Sequence, residues 1–494
     1  MAAFLSVLKI NILIPWILSM FLGIFVGGIP GLTATMAVAL IVPLTYHMPP
    51  IAGLAMIIGV SFTSIFAGDI PATFLRMPGT PASGAAVLDG YKMVQKNKGS
   101  VAISIDLICS ALGGIIGILI LILISPLLAN FALKFTHFEY FWLGVLGLSM
   151  STIISKGSKI KGVIAIVLGV LISTVGIDVA TGYPRFAFGN IELMSGIGFI
   201  PVMIGLFGIS EIFRSILSSN NLVAATITEK ISISFKSIRR IIVKHLRLIL
   251  QSSVIGNVIG ALPGAGADIA AWVSYGVAKK TSKEPEKFGE GSVEGVIAPT
   301  SANNAALGGS WIPALVFGIP GDTITSIVLG AMLMYGLKPG PLIFENEAFF
   351  VHQIFSVGLI SQIFLVFIGY LGIKAYTKIF KFPRNIVYTG IILFSIVGAY
   401  AIRNSVFDIG VILVFGIVGF IMEKCEIPLP PMILGLILGP MIEENLRVGL
   451  IKTSGSFLAF VSRPISIVLF TIIILLFFGE SLKKLFYKIR KKSV

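Results

Sequence analysis

Two prolines and a glycine stand at Met77-Pro-Gly-Thr-Pro-Ala-Ser83, inside a region otherwise apolar enough to cross a bilayer. Proline lacks an N–H and disfavours helix at the residue before it, so backbone groups around Pro78 and Pro81 need partners outside an unbroken helical ladder. Hydrocarbon offers none. Such a break persists only where protein buries it or where it lines a wet cavity. A second break, Ile319-Pro-Gly-Asp-Thr-Ile-Thr325, lies far downstream between apolar segments. Carriers built from repeats form their binding sites from matched breaks of this kind.

The surroundings justify reading these breaks against a membrane. Mean hydropathy is +1.00, with 56% apolar and 12% charged residues, so a water-soluble fold would have nothing to cover its exterior. The expected fold is an all-α polytopic membrane protein, because barrel strands would alternate instead. At roughly 20 apolar residues per helix, the candidate spans from Ile10 to Gly479 suffice for about eleven to fourteen crossings. Lys9 alone precedes the first span and no small-residue cleavage site follows it, which marks a retained helix rather than a signal peptide. Cys109 and Cys425 stand apart, against a disulfide scaffold or a thiolate metal site. The formal charge of +15 sits in short loops between spans, where it sets membrane orientation and does not indicate nucleic acid.

Two halves align around one polar interruption. Gly23, Gly27, Pro30 and Gly31 match Gly256, Gly260, Pro263 and Gly264; Pro71, Ala72, Pro78 and Gly79 match Pro313, Ala314, Pro320 and Gly321. The resulting division is a first transmembrane repeat at 1–217, a basic cytoplasmic linker at 218–245, a second repeat at 246–446, and an extra C-terminal helix with a basic cytoplasmic tail at 447–494. Charge relates the repeats. The loop at His47 to Pro50 is uncharged, whereas its counterpart carries Lys279, Lys280, Lys283 and Lys287; the next loop reverses the pattern, with Lys92, Lys96 and Lys98 against Glu345 and Glu347. Because basic loops stay inside, equivalent loops face opposite sides and the repeats are inverted, with the N-terminus outside and the C-terminus cytoplasmic.

A helix that starts after a Pro-Gly break presents free N–H groups and a positive dipole end, suited to a carboxylate. Gly31, Gly79, Gly264, Gly266 and Gly321 let backbone come close, and Thr33, Thr35, Thr80, Ser83 and Thr323 add hydroxyls without fixed charge. The bland alternative is a set of kinks whose hydroxyls bond their own helix. Asp69, Asp268 and Asp322 lie at the breaks, where an ionised carboxylate needs a cation or a partner. All three are candidates for ion coupling, as sodium ligands or proton carriers, with sodium placed at Asp268 and Asp322; helix capping is the competing role for Asp322. Arg76 has the shape to hold a substrate carboxylate, or else pairs internally with Asp69. Asn303 and Asn304 are suited to contact either ion, or to join helices.

These strings carry a resemblance. Pro78-Gly-Thr-Pro-Ala-Ser83 with Asp89-Gly-Tyr91, Pro263-Gly-Ala-Gly-Ala-Asp268, Ala302-Asn-Asn-Ala305, Gly318-Ile-Pro-Gly321 and Gly182-Tyr-Pro-Arg-Phe-Ala-Phe-Gly189 resemble the large membrane subunit of the tripartite tricarboxylate transporters, from about Gly23 to Glu444. The resemblance implies a permease of the bacterial inner membrane, working with a small membrane subunit and a periplasmic solute-binding protein that delivers an organic carboxylate of the citrate type. It further implies ion-coupled secondary transport, with sodium as a candidate coupling ion and no other cofactor. One departure is Arg76, where that pattern has asparagine, and an added cation there bears on which anion is accepted.

Competing functions find less support. An intramembrane aspartyl protease needs two carboxylates sharing a proton, and Gly321-Asp322 is the one counterpart to Gly68-Asp69. The four histidines are scattered, and no P-loop occurs to power transport by ATP. A passive anion channel is the remaining alternative, separable from a carrier by counterflow.

Overall fold

The computed structural model describes residues 2–29, 32–77, 79–154, 158–178, 180–217, 235–380 and 384–490. Pro30, Gly31, Pro78, Lys156 and the 218–234 part of the expected linker lie outside them. The described chain is almost wholly helical; one two-stranded antiparallel ladder, Gly176–Ile177 with Pro184–Arg185, is the exception to the all-α expectation. Five helices are long and apolar enough to cross a membrane, namely Ile10–Gly27, Pro50–Leu75, Gly99–Ala132, Ala348–Tyr376 and Val406–Lys424, and shorter apolar helices accompany them. The chain is thus a multi-pass membrane protein.

It divides into two compact units, one of residues 1–129 and 198–421, the other of residues 130–197 and 422–494. The expected segments 1–217 and 246–446 each contribute to both.

In the first unit, two helices are apolar around their whole circumference and buried along nearly their whole length: Pro50–Leu75, from Ala52 to Phe74, and Val293–Phe317, from Gly295 to Val316. A helix without a polar face belongs inside. Each is crossed by a neighbour through glycine. A Cβ on Gly27 would stand 2.4 Å from Ser64 O, and one on Gly260 would stand 2.1 Å from Ala306 O. Residues matched in sequence therefore occupy matched crossings. The Gly99–Ala132 helix lies equally close to Val293–Phe317, with Gly113 against Ser301 and Gly117 against Ala305.

Both central helices end in a left-handed residue, Arg76 at φ 57° and Gly318 at φ 69°, and a Pro-Gly break follows each. Short helices follow the four breaks: Ala34–Thr45, Ser83–Gln95, Gly266–Thr281 and Thr323–Met334. Twelve residues, the length of the first and last, rise only about 18 Å against a hydrocarbon thickness of about 30 Å. Helices of that length do not cross the hydrocarbon by themselves.

The second unit contains the helices His137–Ile154, Lys159–Ser173, Leu429–Lys452 and Pro464–Arg490. Phe141, Trp142 and Phe460 form its aromatic core, and Trp142 Nε1 donates to Phe460 O at 2.7 Å. The Gly182 to Gly189 motif is fastened here by Arg185, which meets Glu443 at 2.6 Å, and Asp178, just before the motif, meets Arg447 at 2.8 Å. Bonds from Thr181 and Arg447 hold the Asp178 carboxyl below the usual carboxylate range.

Candidate functional site

The four breaks converge within the first unit. Gly79 N donates to Gly68 O at 3.1 Å, folding the Pro78 break back onto the central helix it has just left. A Cβ on Gly79 would stand 2.7 Å from Gly68 Cα and 3.1 Å from Gly27 O, which places the Gly27 end of the first break against the second. Ala82 N donates to Asp268 Oδ1 at 3.1 Å, and Trp272 Nε1 donates to Pro81 O at 3.2 Å, joining the second break to the third. Gly264 N donates to Gly321 O at 2.8 Å, joining the third to the fourth. Broken backbone is satisfied by another break rather than by lipid, as hydrocarbon requires.

The hydroxyls expected at the site have local roles. Thr33 caps the Ala34–Thr45 helix by accepting from Met36 N at 3.2 Å. Thr80 Oγ1 accepts from Ser83 N at 3.2 Å and lies 2.7 Å from Ser83 Oγ, so the two hydroxyls share one hydrogen bond in either sense. Thr35 and Thr323 are half-buried. Gly31 is outside the described residues. Asn303 Oδ1 and both polar atoms of Asn304 are buried without a hydrogen-bond partner, midway along Val293–Phe317.

The three aspartates separate. Asp322 is the N-cap of Thr323–Met334 in a capping box, accepting from Thr325 N at 2.7 Å. Asp268 is exposed and accepts from Ala82. Asp69 is buried, at 1% exposure, and neither of its carboxylate oxygens has a partner in hydrogen-bonding geometry; the Ser83 and Asp106 side chains lie alongside. The internal Asp69–Arg76 ion pair weighed from the sequence does not form. Arg76 is exposed, its guanidinium 5.9 Å over the Tyr91 ring, because a left-handed C-cap turns it away from the helix core.

Two carboxylates escaped the sequence analysis. Asp89, named there only within a motif, is fully buried; its Oδ1 accepts from Gly289, Gly291 and Ser292 N at 2.9, 2.8 and 2.6 Å, and its Oδ2 from Tyr275 OH at 2.9 Å. It ties Ser83–Gln95, the helix after one break, to the loop after Gly266–Thr281. Asp106, buried within the Gly99–Ala132 helix, was missed outright. An acidic residue inside a long apolar run is itself the signal that could have found it.

The first unit thus packs the helix breaks of an all-α multi-pass membrane protein on one another. The family model described as "Tripartite tricarboxylate transporter TctA family" matches residues 13–434. The chain belongs to that family. It is 35% identical over 446 residues, 90% of this chain and 88% of the relative, to an "Uncharacterized 52.8 kDa protein in TAR-I ttuC' 3'region" of Agrobacterium vitis. An "Uncharacterized protein in TAR-II ttuC' 3'region" of the same organism is 36% identical over 211 residues, 43% of this chain and 87% of that relative. No solved structure matches the chain significantly.

Proposed function

We propose that this permease subunit imports an organic di- or tricarboxylate across the bacterial inner membrane, coupled to a sodium or proton gradient. A periplasmic binding protein delivers the substrate, and a small membrane subunit completes the transporter. The observation that carries this reading is the convergence of the breaks. Helix N-termini at Thr80 to Ser83, Gly266 and Asp322 are joined through the Ala82–Asp268 and Gly264–Gly321 bonds, and the Gly27 end of the first break packs on Gly79. N-terminal N–H groups and hydroxyls favour an anion without a fixed countercharge that would trap it. Uptake of labelled citrate and succinate into vesicles, with and without ion gradients and binding protein, tests the reading. A carrier shows counterflow of label against unlabelled substrate; a channel that equilibrates label without counterflow would replace it. In the same assay, Arg76→Asn is expected to alter the ranking of citrate and succinate severalfold at undiminished expression, because asparagine tolerates the left-handed cap. An unchanged ranking removes Arg76 from substrate selection.

The inverted arrangement belongs to the same proposal. Matched glycine crossings and matched left-handed caps support a repeat, and the swapped basic loops support its inversion. Single cysteines near His47 and near Glu345 are expected to react with an impermeant thiol reagent from outside, and those near Lys96 and Lys283 only after permeabilisation. Equal labelling at His47 and Lys283 would overturn inversion and the external N-terminus together.

A further inference from the structure

Asp69 and Asp106 come from helices that are separate in sequence, Pro50–Leu75 and Gly99–Ala132, and their side chains face one another in the first unit. Each residue is 1% exposed. Both oxygens of Asp69 and Oδ2 of Asp106 lack a partner in full hydrogen-bonding geometry, their polar neighbours being Ser83 and each other's carboxyl; Oδ1 of Asp106 has Ser110 Oγ at 3.4 Å. Two ionised carboxylates cannot stand together in a low-dielectric interior without a cation. Among the described residues the neighbouring helices supply none. Cys109, one turn from Asp106, lies against Ser301, and Gln362 and Tyr376 of Ala348–Phe380 are uncharged at neutral pH. Asp89 is committed to four donors, Asp322 to its cap, and Tyr335 to Thr45 O. Ile10–Gly27 and Ala34–Thr45 carry no titratable group. Arg76 is exposed, Lys374 lies over Tyr370, and Arg247 begins the Leu246–Gly260 helix; none of the three acts on the pair.

We propose that Asp69 and Asp106 form a carboxyl pair that holds one shared proton and exchanges it in step with anion binding at the Thr80–Ser83 break. This rests on the carrier reading above and names its coupling site. Loading forms one O–H bond on a carboxylate oxygen and takes the pair from two negative charges to one; release returns the proton to water on the other side. A metal ion would need several further oxygen ligands, and among the described residues no cluster of three or more His, Cys, Asp or Glu exists to hold one. A proton needs only the two facing oxygens.

The link to substrate is one side chain long. Ser83 lies beside Asp69 and shares a hydrogen bond with Thr80, while the backbone of the break is pinned to Gly68, the residue before Asp69. Ser83 has a single proton to donate. When the pair carries two charges, Asp69 attracts that hydrogen. When the pair is loaded, Ser83 is released to donate toward an anion at the break, and the repulsion between Asp69 and that anion falls. Proton and carboxylate therefore bind together.

Infrared difference titration of the purified protein tests the pair without substrate. Wild type is expected to show a protonated-carboxyl C=O band that titrates with pH, changed in frequency and midpoint in Asp69→Asn and Asp106→Asn, where a single buried carboxyl is left, and brought back toward the wild-type frequency with a shifted midpoint in Asp106→Glu. A band identical in all four proteins overturns the proposal, and monodisperse elution of each establishes that a folded protein was measured. In vesicles, Asp106→Asn is expected to lose at least tenfold of citrate or succinate accumulation driven by a pH gradient while keeping counterflow. Wild-type accumulation in that variant overturns the proposal, as does wild-type uptake driven by sodium alone with no response to pH. Absence of counterflow in wild type would remove the carrier reading and leave the infrared result standing.

Discussion

Replacing Asp89 by alanine is expected to lower the stability of the purified protein by about 3 kcal/mol or more, because it strands donors that a single carboxylate now satisfies. Three backbone N–H groups and the Tyr275 hydroxyl converge on this side chain. The Ser292 bond is fully buried, so its N–H has no water to turn to once the carboxylate is gone. Room for the carboxylate exists because residue 295 is glycine: a Cβ there would lie 2.0 Å from Asp89 Oδ2. Asp89→Asn keeps the size and one acceptor oxygen, and Tyr275 OH can accept from the new amide, so its cost is expected near 1 kcal/mol. Tyr275→Phe removes one charge-assisted bond and is expected to cost about 1.5–3 kcal/mol. Denaturant or thermal unfolding in detergent ranks the variants, and an alanine variant as stable as wild type would show that the Gly289 to Ser292 loop is held by something else. The loss reaches function through the Ser83–Gln95 helix, whose middle this bond anchors and whose start forms the break.

Gly321→Ala is expected to reduce transport about 100-fold while leaving a folded protein. Its added Cβ would stand 2.4 Å from Gly260 O and 2.6 Å from Ser310 Cα, and backbone on both sides cannot yield as a side-chain tip can. Overpacking of this kind costs typically about 1–3 kcal/mol, which a buried bundle survives. A displacement of about 1 Å in groups that position a reacting or bound species, however, can cost about 100-fold in rate. Here the displaced atoms include Gly321 O, the acceptor for Gly264 N. Gly79→Ala meets Gly68 Cα at 2.7 Å and is expected to behave the same way. Gly276→Ala is the control: it is helical, has nothing within 4 Å, and is expected to gain about 0.5–1 kcal/mol with transport unchanged. Initial uptake rates normalised to membrane content decide the matter. Full activity in both break variants would mean that the breaks tolerate movement and do not form the site.

The local chemistry of the chain settled a great deal. Uninterrupted apolar runs leave helix as the one way to satisfy backbone in lipid, and Pro-Gly punctuation stops those helices wherever it falls. Hence the central helices, the short helices behind each break and the membrane class were all legible, as was the family, whose motifs are largely the breaks themselves. The capping of Thr323–Met334 by Asp322 was also foreseeable, since an aspartate directly after Pro320-Gly321 has one obvious donor set in front of it. What sequence proximity could not decide was direction. Asp69, Asp268 and Asp322 look alike beside their breaks, yet Asp69 is sealed inside while Asp268 is exposed. Arg76 sits near Asp69 in the chain yet is exposed with its guanidinium over Tyr91, because the helix ends at Arg76 itself in a left-handed cap. Asp106 lies beside Asp69, and Asp89 meets the loop at Gly289 to Ser292, only because packing brings segments distant in sequence together, in the second case with Gly295 making room for the carboxylate. A side chain's neighbours across such contacts are set by helix rotation and packing, which no local pattern encodes, and that is where the tertiary structure alone identified a buried carboxyl pair.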